Sequence, residues 1–236
     1  PQGIQDNTDC ITGTSADARQ TFRHALKLFG CKRALLEVDV MTRNPARIGI
    51  VISSDRASSG EYQDARARIK AYLADVLESP WQCEYRLVPD EQAVIADALV
   101  DLVDHSACDL ILMSGGTGPA PRDVTPEAMA SICDRLLPGF GEEMRRASLR
   151  DVPTAILSRQ EAGLRGRCLI IALPGKPAAI RTCLDAVFPA VPYCLDLTGA
   201  ARLETRSERL KAFSQGLLAT QDQKLMSGEQ RQLFLG

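Results

Sequence analysis

Residues Asp109 to Thr125 read "DLILMSGGTGPAPRDVT", and this stretch decides the fold. Its first half is an unbroken apolar run, Leu110–Met113, of the kind found in strands covered on both faces. Its second half is a loop of glycines, prolines and small polar residues that ends in the pair Arg122–Asp123. Helical spacing begins just beyond it, in "PEAMASICDRL". A buried strand, a glycine loop and a helix make one half of a parallel strand–helix–strand unit.

The same alternation recurs on both sides. Upstream, "RIGIVISS" (47–54) reads as a buried strand and "DARARIKAYLADVLE" (64–78) as a helix with Ile69, Tyr72, Leu73 and Val76 on one face. "CEYRLVP" (83–89) is a second strand, and "EQAVIADALVDLVDH" (91–105) a second helix. Downstream, 126–149 reads as helix, break and helix. "RCLIIALPG" (167–175) is a fourth strand, and "PAAIRTCLDAVFPAV" (177–191) a helix opened by Pro177. The expected fold is a three-layer α/β/α sandwich with a mostly parallel sheet. Residues 1–46 form an N-terminal extension of unassigned role, with helical spacing over 15–30 and a short strand over 34–41. Residues 47–203 form the domain. Residues 204–236 form a charged, Gln-rich tail, expected to be a peripheral helix or disordered.

Composition excludes several classes. The 28 Lys and Arg are balanced by 30 Asp and Glu, and aromatic residues make up only 5%. Neither a basic face nor a base-stacking platform for nucleic acid is therefore expected. No apolar run approaches the roughly 20 residues that cross a bilayer, and the polar N-terminus predicts no signal peptide. The eight cysteines form no CxxC pair and stand apart from the two histidines. Zinc and a disulfide framework are thus not expected, and buried thiols in a reducing, cytoplasmic compartment are.

In an open parallel sheet, ligands bind beyond the carboxyl ends of the strands. The first strand delivers Ser54, Asp55 and Arg56 there, and the second delivers Asp90. The third delivers Ser114, Gly115, Gly116, Thr117, Gly118 and then Asp123, and the fourth Gly175 and Lys176. Glycines let backbone amides approach an anion, and the helix that follows favours a phosphate near its N-terminus. Neither a Walker A loop nor a GxGxxG fingerprint is present: Pro121 stands where the last glycine of the latter would be. Two carboxylates beside a phosphate site suit a magnesium–nucleotide reaction. Helix capping is the plainer reading. It is the stronger competitor at Asp90, ahead of "EQAVIADAL"; at Asp123, Thr125 with Pro126 makes the better cap.

Together, "SSDRASSGEYQD", "RLVPDEQAVI", "SGGTGPAPRDVTPEA", "LPGFGEEMR", "PTAILSRQ" and "LPGKPAAI" resemble the molybdopterin adenylyltransferase family, of the MogA type and related to MoaB and the G domain of gephyrin. The resemblance runs from about Arg47 to Leu197. It implies transfer of AMP from ATP, with Mg2+, to the phosphate of molybdopterin, releasing pyrophosphate. It implies that Asp90 and Asp123 are the catalytic carboxylates, with Mg2+ between them, and that Gly115–Gly118 cradle phosphate and pterin. Ser54, Asp55, Arg56, Gly175 and Lys176 follow as rim contacts. It also implies a homotrimer and hand-over to a molybdenum-insertion protein. The segment before Val191 is shorter than is common in the family. The competing expectation is a catalytically silent molybdopterin-binding or assembly module of the same fold.

Overall fold

A computed structural model describes residues 45–54 and 61–213. The helix expected over 15–30, the strand over 34–41, the turn at Asp55 and Arg56, and the tail beyond 213 lie outside the described residues.

In chain order the elements are β1 (Ala46–Ser53), α1 (Glu61–Val76), β2 (Trp81–Val88), α2 (Gln92–Val100), β3 (Leu110–Ser114), α3 (Thr125–Ile132), β4 (Arg135–Leu136), α4 (Pro138–Ser148), β5 (Ala162–Arg165), β6 (Cys168–Leu173), α5 (Pro177–Val187) and α6 (Val191–Thr198). A single π-helical turn, Asp101–His105, ends α2, and a 3-10 turn, Pro153–Leu157, precedes β5. The six strands form one sheet in the order β2-β1-β3-β6-β5-β4. β1 pairs in parallel with β2 and β3, and β3 with β6, whereas β5 is antiparallel to both β6 and β4. The expected sandwich with a mostly parallel sheet is therefore present, with an antiparallel edge that the sequence reading did not contain.

Alternation along the strands builds two cores. Ile48, Ile50, Ile52, Leu110, Leu112, Leu169 and Ile171 face a layer made of α1, α4, α5 and α6. Val51, Ile111, Met113, Ile170 and Ala172 face α2 and α3. Every residue of β3 and of β6 is buried, which is why both strands are apolar on each face.

From Pro177 to Thr198 the chain is helical for 22 residues, long and apolar enough by composition to cross a membrane. This corrects the expectation that no such stretch exists. Ile180, Cys183, Leu184, Val187, Val191 and Leu195 are buried along it, so it is a core element. The short link before Val191 is one 3-10 turn, Phe188–Ala190, whose buried Phe188 meets Tyr72 edge to face at 5.5 Å. Beyond α6, residues 202–213 cross the C-terminal end of α1 as a strap without helix. Thr205 bridges to Leu77, the Arg206 guanidinium donates to the carbonyls of Ala74 and Asp75, and Leu203 and Leu210 are buried.

Candidate active site

Strand order reverses between β1 and β3: the chain moves from β1 outward to β2, then returns past β1 to lay down β3. Such a reversal splays the loops apart and leaves a crevice at the carboxyl ends. A cleft of about 650 Å³ occupies that position, lined by Ser53, Ser54, Asp90, Ser114, Gly115, Gly116, Arg122, Asp123, Gly175 and Lys176 among others. Thus Asp90 and Asp123, which lie far apart in the chain, open onto one cavity together with a lysine and an arginine.

The glycines answer to their neighbours first. Gly115 has φ +115°, and a Cβ on it would collide with the Ser53 carbonyl oxygen. Gly116 has φ +60°, and its Cβ would lie 2.5 Å from Thr125 Oγ1. Side chains are excluded because β1, β3 and α3 converge there, and the bare backbone at the cleft wall is the result. Thr125, the expected helix cap, does other work. It is fully buried, its hydroxyl donates to the Gly115 carbonyl at 2.9 Å, and Val124 stands at the cap position.

Asp90 is not a helix cap either. Glu91 occupies that position before α2. The Asp90 side chain is only 13% exposed; its Oδ1 accepts the Ser53 hydroxyl at 2.5 Å, and its Oδ2 accepts Arg122 Nη2 at 3.2 Å. Asp123 also lines the cleft, while its Oδ2 accepts the Ala120 amide at 2.9 Å and closes the proline turn. Ser114 donates its hydroxyl to the Pro174 carbonyl at 3.0 Å, tying the end of β3 to the loop that carries Gly175 and Lys176.

Two residues of the expected cradle, Thr117 and Gly118, do not line the cleft. Their carbonyls turn the other way, accepting the Arg159 backbone amide at 2.7 Å and Arg159 Nε at 2.9 Å. Arg159 also donates to the Asp123 carbonyl and to the Glu127 carboxylate. These bonds hold the Glu127 carboxyl below the usual carboxylate range. Sequence reasoning places Ser53 and Arg122 at the strand-end rim without naming a partner for either, and gives Arg159 no role. Arg159 stands in the "PTAILSRQ" segment, whose spacing carries no periodic signal; its side-chain partners lie 32 to 41 residues away.

Among the described residues no group of three or more His, Cys, Asp or Glu could hold a metal ion. The donor set is instead two carboxylates beside two cations. That is too few ligands for an all-protein metal cage, but it suits Mg2+, which takes one or two carboxylates and completes its shell with phosphate and water oxygens.

Residues 49–193 match a family described as a probable molybdopterin binding domain. A molybdopterin adenylyltransferase of Helicobacter pylori (strain J99) is 50% identical over 167 residues, covering 70% of this chain and 95% of that protein. One of Escherichia coli K12 is 48% identical over 183 residues, covering 72% and 94%. Among solved structures, the molybdopterin biosynthesis enzyme MoaB of Thermus thermophilus is 44% identical with a TM-score of 0.61, covering 67% of this chain and 99% of its own. The Mog protein of Mycobacterium ulcerans is 35% identical, again with a TM-score of 0.61, over 66% and 99%. Strand order, cleft and sequence agree, and this chain belongs to the molybdopterin-binding domain family that includes the bacterial molybdopterin adenylyltransferases.

Proposed function

We propose that this chain is a molybdopterin adenylyltransferase, a nucleotidyltransferase of molybdenum cofactor biosynthesis. The observation that carries the reading is the cleft at the strand-order reversal. There the carboxylates Asp90 and Asp123 face the same space as Arg122, Lys176 and the bare backbone of Gly115 and Gly116. A binder of an anionic ligand gains little from two carboxylates at the site unless a cation joins them.

In the reaction an oxygen of the molybdopterin phosphate attacks the α-phosphorus of ATP in line. A new P–O–P bond forms, the bond between the α-phosphorus and its bridging oxygen breaks, and pyrophosphate leaves with that oxygen. Positioning and charge neutralisation supply most of the acceleration in such transfers. Lys176 and Arg122 offset phosphate charge, and the wall at Gly115 and Gly116 lets phosphate oxygens approach the backbone. Asp90 and Asp123 would hold Mg2+, directly or through water. When bound, Mg2+ draws charge from the phosphate oxygens.

Residues 47–203 are the adenylyltransferase domain, flanked by the 1–46 extension and the 204–236 tail. The family motif assigns substrate contacts to Asp55 and Arg56, which follow Ser54 in the sequence and lie outside the described residues. The protein acts in the cytoplasm as a homotrimer and passes its product to a molybdenum-insertion protein. Incubation with molybdopterin and MgATP tests the central claim. Adenylylated molybdopterin and an equal amount of pyrophosphate are expected. Pterin binding without either product overturns the reading in favour of a silent binding module.

A further inference from the structure

We propose that Arg159 is the positioning residue of the Gly116–Asp123 loop, the group that holds Asp123 in its transferring geometry without touching either substrate. The inference rests on the adenylyltransferase reading and adds to it a residue from outside the cleft, since Arg159 is not among the lining residues. The guanidinium grips the loop at two points at once. Nε donates to the Gly118 carbonyl at 2.9 Å, and Nη2 to the Asp123 carbonyl at the far end. Nη1 donates to the Glu127 carboxylate in the first turn of α3, so the loop and the helix that follows it are fixed to one plane. The backbone joins in, with the Arg159 amide donating to the Thr117 carbonyl at 2.7 Å.

The post on which this fork stands is itself secured. Arg145 of α4 donates to the carbonyls of Gln160 and Ser158 at 2.8 and 3.3 Å. Gln160 is buried, its side-chain oxygen accepting the Cys183 thiol of α5, and the Ala172 amide of β6 donates to the Glu161 carbonyl at 2.8 Å. Arg159 is therefore anchored to the sheet and to two helices while it grips the loop from behind. Across the loop, the Asp123 carboxylate closes its own turn on Ala120 and faces the cleft. Three acceptors spread over Gly118, Asp123 and Glu127 need a planar, multi-donor fork. The single ammonium of a lysine cannot meet them together.

The test uses the full chain with Arg159→Lys and Arg159→Ala. It measures adenylyl transfer with separate kcat and KM values, the unfolding midpoint, and amide hydrogen exchange by peptide. The Arg159→Lys enzyme is expected to lose about 100-fold in kcat, the scale of a small misplacement of a reacting group, with KM for either substrate within about threefold. Its midpoint stays within a few degrees, and exchange quickens over 116–123 while β3 and β6 stay protected. Added methylguanidine restores turnover to Arg159→Ala. A kcat for Arg159→Lys within about threefold of the unsubstituted chain overturns the proposal. So does a loss that follows the midpoint across both variants and ignores methylguanidine. Failure of the unsubstituted chain to form adenylylated molybdopterin overturns the adenylyltransferase reading instead. The exchange experiment then still decides the positioning role, and unchanged exchange over 116–123 refutes it.

Discussion

At Asp90 one carboxylate oxygen takes the Ser53 hydroxyl and the other takes Arg122, whereas Asp123 uses one oxygen to close its own turn. The two groups therefore differ in what substitution does to them. Asparagine at position 123 keeps an oxygen for the Ala120 amide, so the loop keeps its shape and only the negative charge is lost. Asp123→Asn is expected to bind molybdopterin normally and to lose at least about 100-fold in turnover, the scale of losing one preorganised electrostatic contact. Equilibrium binding beside a pyrophosphate-release assay checks this, and near-normal turnover refutes the role. At this scale the sequence was only partly legible. Asp123 stands out because Thr125 is the better local capping candidate, even though Thr125 turns out to brace Gly115 instead. Asp90 is locally ambiguous because the partners that define it, Ser53 and Arg122, stand 37 and 32 residues away. Spacing on one element carries no trace of such pairings.

The elements divide in the same way. β1, β3 and β6 are readable because a strand buried on both faces must be apolar throughout. The β4–β5 edge is not. Arg135–Leu136 is two exposed residues and Ala162–Arg165 only four, too short for any period to register. The strap over 202–213 is equally hidden, since its buried side chains are the isolated Leu203 and Leu210 in a charged stretch. Yet the strap adds core to α1, and it joins Asp75 through both Arg209 and the carbonyl that accepts Arg206. Leu210→Ala is expected to cost about 2 kcal/mol, the low end for truncating a buried leucine at the rim of a core. A drop in unfolding midpoint with adenylyl transfer unchanged at 25 °C checks this. An unchanged midpoint refutes a stabilising strap.

Over the whole molecule, burial raises several thiols together. Cys133 is pushed up to about 11 and Cys108 to about 12, and Cys168 goes well above the ordinary value, in each case chiefly because burial disfavours the thiolate. These groups stay protonated in the fold while the unfolded chain ionises. Their contribution is fully present below the unfolded thiol value near 9 and is lost as pH rises from there through the folded values. Stability is expected to fall above about pH 9, by up to about 1.4 kcal/mol per pH unit for each such thiol. Denaturant melts from pH 7 upward check this, and Cys108→Ala should flatten the alkaline fall. A fall no shallower in that variant refutes the assignment.

The sheet is not laid down in the order in which it is stacked. β6 sits between β3 and β5, yet it is made after both. Until β6 is available, the hydrogen-bonding edge of β3 that it closes has no partner strand. That edge belongs to one of the most apolar strands of the protein, and such an edge templates aggregation. It cannot be sealed until Leu169 and Ile171 reach Leu110 and Leu112. Lys176 follows only a few residues later, so the site gains its lysine almost as the edge disappears. A chain that ends before β6 is therefore expected to present a sticky apolar edge in place of a cleft.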